Sequence, residues 1–199
     1  FGWVSLPKVK FENIALDIET LNQATLKGIY DICAISFALY PFVKDDFALL
    51  KTAVSFGEGY GPKLIKKKGA KLKKNFKVAL SGEFTTNALL FKIAYPDARI
   101  SYMNFLDIEN AVINGDVDAG VLIHESILTY SSLLEVEREI WDIWVELCNG
   151  EELPLPLGGM CLRRSIPLSE SIKYENVLIK AVDVANKNRK TLAPMLLEK

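Results

Sequence analysis

Asp118-Ala-Gly-Val-Leu-Ile-His124-Glu125 is an apolar strand with the chain's only histidine at its carboxyl end. Histidine is the side chain whose ordinary pKa lets it exchange protons near neutrality. In open α/β sheets, ligands gather in the crevice outside the carboxyl ends of the strands. The sole ready acid/base group therefore stands where a ligand is expected.

Working outward, strands and helices alternate almost throughout, the pattern of an α/β fold with mainly parallel pairing. Before this stretch, strands are expected at 9–17, 31–36, 48–55 and 76–80, with an extended segment at 62–66 and a strand at 99–103. Helices are expected at 19–27, 85–95 and 106–114, with a helical turn at 36–44. Beyond it, Val136 to Leu147 carries Ile140, Trp141, Trp144 and Leu147 at i, i+3 and i+4 spacings, a strong helix signal. Leu153-Pro-Leu-Pro-Leu-Gly-Gly159 ends that helix, 160–163 is extended, and helices at 169–187 and 190–198 close the chain.

Asp31-Ile-Cys-Ala-Ile-Ser36 repeats the grammar of the opening stretch, a strand ending on a small or polar residue. Two lobes follow, each presenting strand ends to a shared cleft. Residues 1–61 form the first, with 164–199 returning to it, and residues 62–163 form the second, hinge strands included. Gly57, Gly59 and Gly61, and the pair Gly158-Gly159, are natural crossing points, because glycine tolerates the backbone angles a hinge needs. That is the plan of a protein that clamps a small ligand.

Composition narrows the function classes. The 199 residues are about one large domain or two small ones, and half are hydrophobic. Lys and Arg number 24 against 25 Asp and Glu, so a net charge of −1 gives no general attraction to nucleic acid or an anionic membrane. No apolar run approaches the ~20 residues that span a bilayer. Lys66-Lys-Lys-Gly-Ala-Lys-Leu-Lys-Lys74 holds six lysines in nine residues, yet no aromatics interleave it. A solvated loop between strands explains it better than a nucleic-acid surface. Cys33, Cys148 and Cys161 are too scattered for a disulfide framework or a Cys-x-x-Cys metal site. They read as buried thiols of a cytoplasmic protein. A chain that starts on Phe1 rather than Met is expected to lack its native amino terminus, so the missing signal peptide says little. Nothing in the residues sets an oligomeric state.

Three candidate groups remain. His124 is either a general base or a histidine satisfied by hydrogen bonds at a strand end. Ser81-Gly-Glu-Phe-Thr-Thr86 joins a strand to a helix, placing Thr85 and Thr86 where free N–H groups and the helix dipole favour an anion. Plain capping by one hydroxyl is the competing account. Ser36 is the analogous hydroxyl of the first lobe, with capping of the next turn as its alternative. With one histidine, a zinc ligand set would need the scattered cysteines or carboxylates. No Gly-x-Ser-x-Gly nucleophile elbow is present. Trp141 and Trp144 read as packing residues of their helix.

Several separated motifs agree in order: Ser55-Phe-Gly-Glu-Gly-Tyr-Gly-Pro62, Gly82-Glu-Phe-Thr-Thr86, Gly120-Val-Leu-Ile-His-Glu125, Thr129-Tyr130 and Leu153-Pro-Leu-Pro-Leu-Gly158. Together they resemble the 1,4-dihydroxy-6-naphthoate synthase family of the futalosine route to menaquinone. The resemblance implies a two-lobed type II periplasmic-binding-protein-like fold with a central ligand cleft. It implies a lyase that converts cyclic dehypoxanthine futalosine, a carboxylated small molecule, to 1,4-dihydroxy-6-naphthoate. It further implies His124 as proton acceptor, substrate contacts from Ala34, Ile35, Ser36, Thr85 and Thr86, and no metal or organic cofactor. The family pattern opens with a strand and a Ser-Pro-rich, Asp-containing loop ahead of Phe1, and continues past Lys199, so the first lobe is expected to be incomplete. A non-catalytic small-anion solute-binding protein and the related chorismate dehydratase are the alternatives on the same fold.

Overall fold

The computed structural model describes residues 2–197. In chain order the elements are α1 (Ile18–Leu26), β1 (Ile32–Ser36), α2 (Tyr40–Val43), β2 (Phe47–Leu49), β3 (Ser55–Gly57), β4 (Lys63–Lys67) and β5 (Lys77–Leu80). Then come α3 (Thr86–Ala94), β6 (Arg99–Tyr102), α4 (Ile108–Asn114), β7 (Ala119–Leu122), β8 (Leu134–Glu139), α5 (Ile140–Leu147), β9 (Leu155–Arg163), α6 (Leu168–Lys187) and α7 (Arg189–Leu197). Single 3₁₀ turns lie at Phe105–Asp107 and His124–Ile127. No helix among the described residues is long and apolar enough to cross a membrane.

Two sheets organise the molecule. In the first, β9 pairs antiparallel with β1, β2 and β3. The second runs β6-β5-β7-β4-β8. Pairing is parallel only where β5 meets β6 and β7, and antiparallel elsewhere, which corrects the expectation of a mainly parallel sheet. The alternation of helices and strands is real, but only the run β5-α3-β6-α4-β7 consists of successive helical crossovers, and its strands supply the parallel pairs.

Each sheet has its own core. Fully buried Val78, Leu80, Ala119 and Val121 pack with Leu90 and Phe91 of α3 and Ile140 and Ile143 of α5 on one side of the second sheet. Ile65, Ala79 and Leu122 pack with Ile108 and Val112 of α4 on the other. Period-two side-chain alternation divides β5 and β7 between these clusters. A smaller cluster of Cys33, Ile35, Leu39, Val43, Phe47 and Cys161 serves the first sheet. β7 can approach α4 closely because residue 120 is glycine: a Cβ there would lie 2.4 Å from Ile108 Cγ2 and 3.0 Å from Val112 Cγ2.

Three elements differ from the sequence reading. Residues 9–17 alternate in polarity but form no strand. Val9 makes only an isolated bridge to Leu6, and Phe11 meets the Tyr174 ring edge-on at 6.1 Å. An extended segment without a paired neighbour lacks the ladder that defines a strand. The expected strand at 48–55 is two short ones, β2 and β3, separated by a turn. The helix expected over 136–147 begins only at Ile140, and Leu134–Glu139 is strand β8. Glu135, Glu137 and Glu139 form a period-two row along it. They face β4, where Lys66 bridges to Glu137 at 2.6 Å and Glu135 at 3.5 Å, and Lys63 to Glu139 at 3.8 Å. Cross-strand charge pairs of this kind stabilise the strand over the helix that local spacing favours.

The chain passes between the sheets twice. Residues 58–62 join β3 to β4, through the Gly-rich segment. The second passage is made by residues 148–154, after α5, where Trp144 Nε1 donates to the Leu153 carbonyl at 2.8 Å. Gly158 and Gly159 lie inside β9, opposite Ser36 and Ile35. Of the lysine-rich segment, Lys66 and Lys67 end β4 and residues 68–74 belong to the connection to β5, with Lys74 paired to Asp97 at 2.8 Å.

Candidate functional site

A cavity of about 280 Å³ lies between the sheets, near the lower end of the size range for small-molecule sites. His124, Ser36, Thr85 and Thr86 all line it. Four of the residues singled out from sequence, widely separated along the chain, therefore meet at one place. The other two do not line it. Ile35 is fully buried in the core of the first sheet, and Ala34, on the opposite face of β1, lines a separate groove beside residues 9–14. Alternation along β1 turns Ile35 away from the Ser36 side, whereas Ala34 shares that side but lies two residues back along the strand, at the other groove.

His124 stands two residues beyond β7. Its backbone adopts φ 53°, the left-handed region, where a residue with a Cβ is strained. Such strain clusters at ligand-binding and catalytic positions. The side chain is exposed to the cleft, and Phe105 meets the imidazole edge-on with ring centroids 5.2 Å apart. The phenyl ring limits where the imidazole can turn, while solvent and ligand keep access to its other face.

Across the cavity, Thr85 caps α3. Its hydroxyl accepts from Ala88 N at 3.3 Å and donates to the Gly82 carbonyl at 2.9 Å. The Thr86 hydroxyl donates to the Leu157 carbonyl at 2.9 Å and accepts from Ala38 N at 3.3 Å. Both hydroxyls are thus engaged within the protein. What this turn presents to an anion is the start of α3 itself, with its N–H groups and dipole.

Glu19 of α1 braces the same turn. Its carboxylate accepts from Phe84 N at 3.2 Å and from Gln23 Nε2 at 3.0 Å. Gly82 permits this approach, since a Cβ there would lie 2.5 Å from Glu19 Cβ. α1 is itself started by Asp17, whose carboxylate accepts from the backbone N–H groups of Glu19 and Thr20 at 3.1 and 3.0 Å. Burial opposes ionisation of Asp17, but hydrogen bonds from the Thr20 side chain and these N–H groups outweigh it and hold the carboxyl below its ordinary value.

Several lining residues escaped the sequence reading. Asn87, Ser55, Tyr60, Ile18, Ile123 and Leu157 all face the cavity. Ser55, Tyr60, Ile123 and Leu157 lie within the motifs that carry the family resemblance, but nothing in their chemistry singles them out there as site residues. Asn87, buried at the start of α3, is the exception: a polar residue just inside an apolar helix invites a search for its partner.

All 199 residues match the menaquinone biosynthesis family. The chain belongs to that family. Among curated relatives, the 1,4-dihydroxy-6-naphthoate synthase of Streptomyces coelicolor is 31% identical over 189 residues, 92% of this chain and 66% of the relative. The synthase of Thermus thermophilus is 32% identical over 168 residues, 83% of this chain and 60% of the relative. The chain thus spans less than two thirds of the length of either relative. The crystal structure of protein AF1704 from Archaeoglobus fulgidus superposes with a TM-score of 0.82 at 33% identity, covering 89% of this chain and 66% of that one. An amino acid ABC transporter substrate-binding protein from Streptococcus pneumoniae, bound to L-arginine, gives a TM-score of 0.61 at 14% identity, covering 93% of this chain and 74% of that one. The periplasmic aliphatic sulphonate binding protein SsuA of Escherichia coli gives 0.59 at 14%, covering 87% and 62%. At such identities these last two show the fold alone. This member of the menaquinone biosynthesis family has the periplasmic-binding-protein-like α/β fold that its motifs imply.

Proposed function

We propose that this protein is a carbon–carbon lyase of the 1,4-dihydroxy-6-naphthoate synthase type, acting in the cytoplasm on cyclic dehypoxanthine futalosine. One observation carries the reading: His124 and the start of α3 line the same cavity between the sheets. The start of α3 holds the substrate carboxylate. His124 takes a proton beside a carbonyl, and the sugar-derived fragment leaves as the ring becomes aromatic. Aromatisation drives the cleavage, so a single base suffices. General base assistance of this kind contributes about 10²–10⁴ in rate. The left-handed backbone at His124, a form of strain found at functional positions, and the Phe105 ring packed beside the imidazole support the assignment. Similarity to the two curated synthases supports the substrate.

The test is direct. Incubation with cyclic dehypoxanthine futalosine is expected to release the fluorescent naphthoate, and incubation with chorismate to give no dehydration product. A folded sample that binds the substrate unchanged is instead a solute-binding protein.

A further inference from the structure

Asn22 sits in the middle of α1, wholly buried. Its carboxamide makes two hydrogen bonds to a single residue. Asn22 Oδ1 accepts from Ser36 N at 2.9 Å, and Asn22 Nδ2 donates to Ser36 Oγ at 3.1 Å. The direction of both follows from chemistry alone. A backbone N–H can only donate, so the atom facing it is the carboxamide oxygen. The atom facing Ser36 Oγ is then the NH₂ group, which can only donate in turn. Its second hydrogen is directed to Glu19 Oε2 at 3.4 Å, an acceptor in the carboxylate form, in agreement with that orientation. Ser36 Oγ must therefore accept from Asn22, and its own proton must point elsewhere. Among the described residues no protein group accepts that proton. Ser36 is buried and lines the cavity.

The threonine hydroxyls are in the opposite condition, both donating to main-chain carbonyls. Ser36 also lies beside the start of α3. It pairs with Gly158 of β9, and the adjacent Leu157 accepts from Thr86. We propose that Asn22 is a positioning residue that fixes the Ser36 hydroxyl as a hydrogen-bond donor to the carboxylate of an aromatic acid bound at the start of α3. The proposal deepens the lyase reading and rests on its cavity, but not on the reaction. Ser36 supplies the hydroxyl donor that Thr85 and Thr86 cannot, and the helix start supplies the N–H groups.

Asn22→Asp is nearly isosteric but replaces the NH₂ donor with an acceptor. The Ser36 proton then turns back towards the new carboxylate, and only lone pairs face the ligand. Binding of 2-naphthoate, followed by calorimetry, is the probe. Ser36→Ala and Asn22→Asp are each expected to weaken it about tenfold to a hundredfold. The double variant is expected to be no weaker than the worse single one, because both remove the same donor. In turnover the loss falls on KM more than on kcat, as for a contact made equally in ground and transition states. Should Asn22→Asp fail to fold beside Glu19, Asn22→Asp with Glu19→Gln takes its place. Wild-type affinity in Ser36→Ala, losses that multiply in the double variant, or no binding of 2-naphthoate by the wild type would each overturn the proposal. Ser36-dependent binding without turnover of cyclic dehypoxanthine futalosine would uphold it while removing the lyase reading.

Discussion

The Thr86 hydroxyl donates to the Leu157 carbonyl at 2.9 Å and so ties the start of α3 to β9, one sheet's helix to the other sheet's central strand. The same oxygen accepts from Ala38 N. Thr86 is thus a strut across the wall of the cavity. Thr86→Val keeps the shape and removes the strut, leaving the Ala38 N–H without its partner and the Leu157 carbonyl with Phe37 N alone. A loss of about 1–3 kcal/mol in unfolding free energy is expected from urea titration. Carboxylate affinity should change little beside that of Ser36→Ala. A large loss of affinity at unchanged stability would place the hydroxyl on the ligand instead.

His124 makes the opposite trade. A residue with a Cβ at φ 53° is held there at a cost of about 1–2 kcal/mol, which glycine does not incur. His124→Gly is therefore expected to melt no lower than wild type, even without the contact to Phe105, while turnover falls by about 10²–10⁴. His124→Ala keeps the strain and should lose the same turnover. Steady-state rates beside thermal melts decide the matter. Near-normal turnover in either variant removes the base assignment.

How far the residues alone revealed this site depends on the range of each signal. His124, Ser36, Thr85 and Thr86 were legible because each ends a strand or starts a helix, where local sequence carries the message. Ala34 and Ile35 came with Ser36 through family resemblance, but strand alternation turns Ile35 into the core, and Ala34, although on the Ser36 face, lines a separate groove two residues back along β1. Asn22 went unremarked, although an asparagine in mid-helix is unfavourable without a partner. That partner lies 14 residues away, on β1. The strand β8 was hidden for a similar reason. Its glutamates find their lysines only when β4, about 70 residues earlier in sequence, lies alongside.

Cys33 and Cys161 lie opposite one another on β1 and β9, both buried. Burial, then the neighbouring Cys33, pushes the Cys161 thiol up to about 12 from an ordinary 9.0. Burial raises Cys33 as well. Above pH 9 the unfolded chain releases protons that the folded protein retains. The stabilising contribution is thus complete below about pH 9 and is lost as pH rises towards 12. Cys161→Ala is expected to flatten part of this alkaline loss relative to wild type, as read from urea midpoints at a series of pH values. Equal slopes in the two proteins would show that the thiol ionises alike folded and unfolded. Thiol titration of the native protein should find the half-buried Cys148 first.

Gly120 links packing to chemistry, because β7 both faces α4 and leads to His124. A Cβ at 120 would lie 2.4 Å from Ile108 Cγ2, so Gly120→Ala forces α4 off the sheet or bends β7. Overpacking of this kind costs about 1–3 kcal/mol. Displacement of β7 moves the imidazole, so turnover should fall as well, though less than in His124→Ala. The clash is with the branch methyl of Ile108, which leucine lacks. Ile108→Leu in the Gly120→Ala background is therefore expected to recover part of both stability and turnover, although alone it is neutral or slightly destabilising. Melting temperature and kcat measured across the four proteins complete the cycle. Additive effects would mean that the two residues do not press on one another, and that Gly120 matters through its backbone alone.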